Sequence, residues 1–260
     1  MKYERAASAL AEAERFCAPI LPLREYLLPT DDAGAYEVQS INVRRRLANG
    51  ARVVGRKIGL TSEAVQRQLG VSQPDFGVLF EDMALRSGDT LLAHRLIQPK
   101  IEAEIALVLS RDLNSVNVTA ADVAAATDHA VAALEVVDSR IAEWKITFAD
   151  TVADNGSSAF FVLGTERKSL GQFDPIACVM TMWVNGAVAS QGSGAACLGN
   201  PLEAAVWLAR TLAARGEWLR EGDVVLTGAL GPMVALKGGD AVTATIEGLG
   251  SVSLDLGVPA

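Results

Sequence analysis

Residues 101–109, Ile-Glu-Ala-Glu-Ile-Ala-Leu-Val-Leu, read as a β-strand carrying two carboxylates within an apolar run. Side chains two apart on a strand point the same way, so Glu102 and Glu104 lie side by side on one face. Burying either of them without a partner is strongly unfavourable, and the two anions repel each other. Either the pair faces solvent or arginines, or something positive sits between them. The run Ala-Leu-Val-Leu that follows is apolar on both faces, as in a strand covered on both sides. That pattern favours a buried site, so the fold must place this strand centrally and bring a counter-charge to it.

A third acidic residue, Glu135, interrupts the apolar run Ala132-Ala-Leu-Glu-Val-Val137, which follows a predicted helix over 120–130 capped by Thr119 or Asp122. Three carboxylates from two neighbouring strands, with no histidine or cysteine nearby, match a hard divalent cation in oxygen coordination, Mg2+ or Mn2+. Such an ion keeps positions open for a chelating substrate such as a 2-oxo acid, and acts on it as a Lewis acid. The chain has only two histidines, His94 and His129, neither in a recognisable motif. That supply is too small for a Ser-His-Asp triad or a histidine-rich zinc site. Cys17, Cys178 and Cys197 are isolated and odd in number, which reads as reduced, partly buried thiols.

The formal charge of -8 argues against a nucleic-acid partner. No run of uncharged apolar residues is long enough to span a membrane, and the N-terminus lacks the layout of a signal peptide, so a cytoplasmic protein is expected. At 260 residues the chain can build one large domain or one and a half. Apolar periodicity predicts helices over 2–17 and 34–49, a lead-in of about 50 residues that packs on the remainder, 51–260, and offers a surface for self-association.

Residues 51–58 form a strand-like run with Lys57 at its end, and Thr61-Ser-Glu-Ala64 opens a short helix to about Leu69. Lys57 reads either as a surface lysine with a buried stem or as a partly desolvated ammonium. Gln73-Pro-Asp-Phe-Gly77 is a turn that sets Asp75 at its tip. Residues 78–109 are extended apart from a break at Ser87-Gly-Asp89, whereas 138–157 show no single period and read as a polar loop beside buried strands. Strands follow at 159–163, 179–184 and 187–190, the last two joined by the hairpin signal Asn185-Gly186. A helix over 202–214 is entered through Asn200-Pro201, and short strands at 224–228, 241–246 and 251–256 complete the chain.

Six blocks together resemble the 2-keto-4-pentenoate hydratases of the fumarylacetoacetate hydrolase superfamily: Gly55-Arg-Lys-Ile-Gly-Leu-Thr-Ser62, Gln73-Pro-Asp-Phe-Gly-Val-Leu-Phe80, Gln98-Pro-Lys-Ile-Glu-Ala-Glu-Ile105, Ala133-Leu-Glu-Val-Val-Asp-Ser-Arg140, Asp150-Thr-Val-Ala-Asp-Asn155 and Leu226-Thr-Gly-Ala-Leu-Gly-Pro-Met233. They run in the family's order from about residue 50 to the C-terminus. The resemblance implies an α+β fold, a mixed β-roll or β-sandwich of the fumarylacetoacetate hydrolase C-terminal type behind the helical lead-in. It also implies a Mg2+ or Mn2+ site on Glu102, Glu104 and Glu135, proton transfer by Lys57 and Asp75, and a substrate contact at Ser157. The implied substrate is a small 2-hydroxydienoate, hydrated to 4-hydroxy-2-oxopentanoate in the meta-cleavage degradation of aromatic compounds. Superfamily members that hydrolyse carbon-carbon bonds use a histidine-centred pair near the start of the domain, and this chain has none there.

Three rivals share these residues. A 2-oxo-3-hexenedioate (4-oxalocrotonate) decarboxylase uses the same chemistry to lose CO2. A second rival is a hydratase for a longer dienoate, methyl-substituted or dicarboxylic; a dicarboxylate would want an extra cation, with Arg140 and Lys145 the nearest candidates. A non-catalytic partner subunit, docked to pathway enzymes through its N-terminal helices, keeps the acidic triad for a structural ion.

Overall fold

The computed structural model describes residues 1–62, 66–67 and 71–258. Two helices open the chain, α1 (Lys2–Phe16) and α2 (Asp32–Ala48), the second capped by the Asp31 carboxylate, which accepts from Gly34 N–H at 2.9 Å. Two mixed sheets follow. The larger comprises β1 (Val53–Gly59), β2 (Asp75–Phe80), β3 (Ala84–Arg86), β5 (Lys100–Leu109), β6 (Thr127–Val137), β7 (Ser158–Leu163) and β10 (Val224–Ala229), in the order β2-β1-β10-β5-β6-β7-β3, with β11 (Val234–Ala235) pairing β5. The smaller has the order β4-β13-β12-β8-β9, from β4 (Thr90–Leu92), β8 (Val179–Val184), β9 (Ala187–Ser193), β12 (Ala241–Ile246) and β13 (Gly250–Gly257). Helices α3 (Ala120–Ala126), α4 (Phe148–Ala153) and α5 (Pro201–Ala214) lie between strands. The expected α+β architecture with N-terminal helices is borne out. No helix among the described residues is long and apolar enough to cross a membrane.

β5 and β6 are the longest strands and pair antiparallel along their lengths, with Glu102 opposite Glu135 and Glu104 opposite Ala133. Alternation divides their side chains between two cores. Ile101, Ala103, Ile105 and Leu107, with Ala132, Leu134 and Val136, enter the main core shared with the helices and the smaller sheet. Ala106, Val131 and Ala133 point the other way, into a smaller cluster with Phe161, Val224 and Leu226. The glutamates lie on this second face, at the end where the small core gives out.

Three expectations need correction. The turn expected over Gln73–Gly77 with Asp75 at its tip is instead the start of β2, where Asp75, Phe76 and Gly77 are buried and pair with Gly59, Ile58 and Lys57, because the apolar run that follows draws them into the sheet. The helix expected over 120–130 stops at Ala126: Thr119 and Asp122 form a reciprocal cap, but Thr127 already pairs with Leu109 and opens β6. Edge pairing to a long buried strand overrides the helical pattern of Ala and Val at that point. The segment 138–157 is not loop throughout, because α4 lies within it. All six α4 residues are buried, so no amphipathic stripe marks it in the sequence. The helix expected from Thr61 to about Leu69 falls largely outside the described residues, of which Gln66 and Arg67 are helical.

The lead-in is tied to this segment. Leu23 N–H donates to Asp150 Oδ1 at 2.8 Å, Arg24 ion-pairs with the same carboxylate, and the Gln39 side-chain amide donates to the carbonyls of Phe76 and Val152 at 2.9 and 3.0 Å. Through these bonds α2 braces both β2 and α4.

Candidate active site

Strand pairing sets Glu102 against Glu135, and the two-residue period brings Glu104 beside them. One carboxylate oxygen from each of the three lies within 4.8 Å of the others, and all three residues are buried. Glu104 Oε2 accepts from Gly228 N–H at 2.7 Å. A bulge in β10 between Leu226 and Ala229 frees that N–H from the ladder and turns it toward the carboxylate. Glu104 Oε1 and Glu135 Oε1 are buried without a hydrogen-bond partner.

The counter-charge comes from β1. Lys57 Nζ reaches Glu135 Oε2 at 3.1 Å, with both side chains almost fully buried. β2 pairs antiparallel with β1 and sets Asp75 opposite Gly59. A methyl group at Gly59 would overlap Asp75 Oδ1 and come within 3.4 Å of Lys57 Nζ, so the carboxylate and the ammonium flank the same bare stretch of backbone. Thr151, on α4, donates to Asp75 Oδ2 at 3.3 Å.

Four buried carboxylates, Asp75, Glu102, Glu104 and Glu135, thus face one buried ammonium. Burial, and next the charge of Glu135, push the Glu102 carboxyl up to about 7. Burial, then Glu135 and Glu102, hold Glu104 well above the carboxylate range. Asp75 is raised by burial against the opposing pull of Lys57. Burial by itself would lower Lys57, but Glu135, Asp75, Glu102 and Glu104 outweigh it and keep the amine above its ordinary value. The cluster therefore carries an excess of negative charge and unsatisfied oxygens. An all-oxygen donor set of this kind fits a hard divalent cation, which Glu102, Glu104 and Glu135 could hold.

Ser157 follows Gly156, which lies against the Lys57 stem, and is buried with its hydroxyl directed to Asp154 Oδ2 at 3.1 Å. It ends a turn in which Asn155, Gly156 and Ser157 all have left-handed backbones, at φ 57°, 62° and 54°. Each non-glycine residue so held costs roughly 1–3 kcal/mol and persists only where the surroundings enforce it. Neither cation proposed for a distal carboxylate faces the triad. Arg140 is locked to Asp154 Oδ1 at 2.5 Å and to the carbonyls of Asp138, Asp154 and Ser158 at 2.8, 2.6 and 3.1 Å. Lys145 is exposed and pairs with Glu143.

Thr151, Asn155, Gly156 and Gly228 border the site and carry no role in the sequence reading. Asn155 and Gly228 belong to recognised blocks, yet only the bulge and the turn reveal what their backbones and amides do.

The fumarylacetoacetate (FAA) hydrolase C-terminal family matches residues 45–256. The chain is 58% identical over 246 residues to a 2-keto-4-pentenoate hydratase of Burkholderia vietnamiensis, covering 95% of this chain and 94% of that protein. It is 42% identical over 253 residues to a 2-hydroxyhexa-2,4-dienoate hydratase of Comamonas testosteroni, covering 96% of each. Among solved structures, the 4-oxalocrotonate decarboxylase of Pseudomonas putida G7, complexed with magnesium and adipate, superposes with a TM-score of 0.94 at 37% identity, covering 98% of this chain and 97% of that one.

Proposed function

Since the chain belongs to the fumarylacetoacetate hydrolase C-terminal family, we propose that it is a hydro-lyase that adds water to 2-hydroxypenta-2,4-dienoate and gives 4-hydroxy-2-oxopentanoate. The observation that carries this reading is the buried Glu102–Glu104–Glu135 cluster with Lys57 set against it, in a chain 58% identical to a 2-keto-4-pentenoate hydratase over nearly its whole length.

Glu102, Glu104 and Glu135 are the ligands in this reading, for Mg2+ or Mn2+. When bound, the ion supplies Lewis acidity to a chelating 2-oxo acid and offsets the charge that builds on its oxygen.

The protein's own groups handle the protons. In the ketonising stage one proton leaves the 2-hydroxyl and one arrives at C5, giving 2-oxopent-3-enoate. In the hydrating stage water attacks C4, one proton leaves that water and one arrives at C3. Each stage thus needs one acceptor and one donor. Asp75 is assigned as acceptor and Lys57 as donor: the ammonium is held protonated by the surrounding carboxylates, and the Asp75 carboxylate lies with it beside Gly59. Ser157, whose hydroxyl bridges to Asp154, is assigned to the substrate's polar end. The aliphatic stem of Lys57 and the small core of Ala106, Ala133, Phe161 and Leu226 exclude bulk water from the inner side. A cytoplasmic, self-associating protein belongs to the same reading.

The decarboxylase alternative rests on the 0.94 TM-score. Recognition of a second carboxylate by Arg140 or Lys145 is not supported, since the first is spent inside the Asp154 network and the second is paired at the surface. Ultraviolet loss of freshly generated 2-hydroxypenta-2,4-dienoate, with and without Mg2+ or Mn2+, tests the proposal. Metal-dependent loss that yields 4-hydroxy-2-oxopentanoate without CO2 is expected. Inertness toward this dienol, with CO2 released from 2-oxo-3-hexenedioate instead, would overturn it in favour of the decarboxylase.

A further inference from the structure

The left-handed turn at 155–157 lies directly on the stem of Lys57. A methyl group at Gly156 would sit 3.1 Å from Lys57 Cδ and 3.2 Å from Cε, closer than almost any side chain is tolerated. The turn thus acts as a cover over the lysine's methylenes, and a side chain at Gly156 would push the lysine stem aside by a few tenths of an ångström. Three consecutive left-handed residues do not hold themselves, because two of them carry a Cβ and pay for the conformation sterically. Something outside the turn has to fix it.

The support outside the turn is Val78 of β2, which the turn grips through the Asn155 side chain. Its Oδ1 accepts from Val78 N–H at 2.7 Å and its Nδ2 donates to Val78 C=O at 2.9 Å. The amide thus pairs with one residue of β2 as a neighbouring strand would. β2 is the strand that carries Asp75, and it pairs with β1, where Lys57 stands opposite Gly77. The far end of the turn is pinned separately, by Asp138 N–H donating to Ser157 C=O at 2.8 Å. One end is therefore clamped to the β1–β2 pair by a single side chain, and the other to the end of β6.

We propose that Asn155 is a positioning residue for Lys57: by clamping the left-handed turn to Val78 it presses Gly156 onto the lysine stem and holds the ammonium at Glu135 and Asp75. The inference rests on the reading of Lys57 as the proton donor. It adds a residue that touches neither substrate nor cation and acts only through the lysine's geometry. A side chain released from that cover can sample other rotamers and admit water along its length.

The test is Asn155→Ala, together with Asn155→Asp, which keeps an acceptor for Val78 N–H but loses the donor to its carbonyl. Both are compared with wild type and Lys57→Ala in the presence of Mg2+. Two quantities are read. One is the split of kcat from KM on the dienol. The other is the acylation rate of Lys57 by acetic anhydride, followed by peptide mass spectrometry with the exposed Lys145 as internal standard. Expected for Asn155→Ala are a kcat lower by roughly 10²-fold, as for an ångström-scale misplacement of a reacting group, and a nearly unchanged KM. Lys57 acylation should rise at least tenfold relative to Lys145. Asn155→Asp should lie between wild type and Asn155→Ala, and it provides the same readouts if the alanine variant does not fold.

Unchanged Lys57 acylation in both variants, or a loss confined to KM, overturns the positioning role. Full turnover by Lys57→Ala overturns the assignment of Lys57 itself, whatever the Asn155 variants do.

Discussion

The charge imbalance at the triad has a sign that can be measured on the metal-free protein. Glu102 titrates near 4.5 when unperturbed, but in the fold burial and Glu135 push it up to about 7. Its folded-state pKa is raised, so the favourable contribution is fully present below pH 4.5, where the carboxyl is neutral in both states. That contribution is lost as pH rises through about 7. One pKa unit corresponds to about 1.4 kcal/mol. The ionised Glu102 therefore destabilises the metal-free fold by about 3 kcal/mol at pH 8. Glu102→Gln removes the charge at nearly constant shape, and its amide can still donate to Glu135. In chelator-treated protein at pH 8 this variant should melt above wild type by roughly 6–12 °C, at about 2–4 °C per kcal/mol for a domain of this size. At pH 4.5 the difference should vanish. Added Mg2+ should reverse the order. Wild type gains about 4.1 kcal/mol at a thousandfold excess over its Kd, more than its deficit of about 3 kcal/mol, whereas the glutamine variant, short of one ligand, responds weakly. Differential scanning calorimetry across pH 4.5–8, with and without Mg2+, reads all of these. A metal-free Glu102→Gln that melts below wild type at pH 8 would refute the argument, as would a wild-type melting point that climbs steadily through this range.

Two further outcomes follow from the same geometry. Lys57→Ala should lower turnover by about 10²- to 10⁴-fold, the usual worth of a general acid or base, with the melting curve still cooperative and Mn2+ still bound by isothermal titration; wild-type turnover would refute the assignment. Arg140→Leu leaves Asp154 buried without its ion partner, and urea denaturation should show a loss of about 3–5 kcal/mol. If instead that variant keeps its stability and loses discrimination against dicarboxylates, Arg140 belongs to substrate recognition after all.

The fold was legible wherever one face of an element differs from the other. α1, α2, α5 and the hairpin at Asn185-Gly186 announce themselves because an amphipathic stripe or a turn dipeptide is a local property. The helix α4 was invisible for the opposite reason: every one of its residues is buried, so composition carries no period. At the site, the clustering of Glu102 with Glu104 was implied by strand spacing alone, and Glu135 stood out as a charge in an apolar run. The approach of Lys57 to Glu135 was not readable from spacing, since it depends on β1 reaching across the intervening strands β10 and β5. Nor could the sequence tell that Arg140 is consumed by Asp154, a pairing that the 138–157 segment makes with itself as it folds back.

The site also constrains how the sheet can form. Because alternation has period two, a slip of β5 by one residue would drive Glu102 and Glu104 into the main core and turn Ile101, Ala103 and Ile105 toward Lys57 and Glu135. Against that error the chain places side-chain bonds along β5 and β6 that no slipped register satisfies. Thr227 donates to the Ile105 carbonyl at 2.9 Å, and Gly228 N–H, freed by the bulge, donates to Glu104. Asp138, just past the end of β6, accepts from Ile97 and Gln98 N–H at 2.8 and 2.6 Å. The β10 bulge is thus both the feature that binds the Glu104 carboxylate and the feature that fixes register, and the two roles require the same residue. Carboxylates that would be intolerable in the main core become specific markers of the second face: only one pairing of β5 with β6 and β10 gathers all three around a lysine. Removing the acids would make the sheet easier to stabilise and its register easier to mistake.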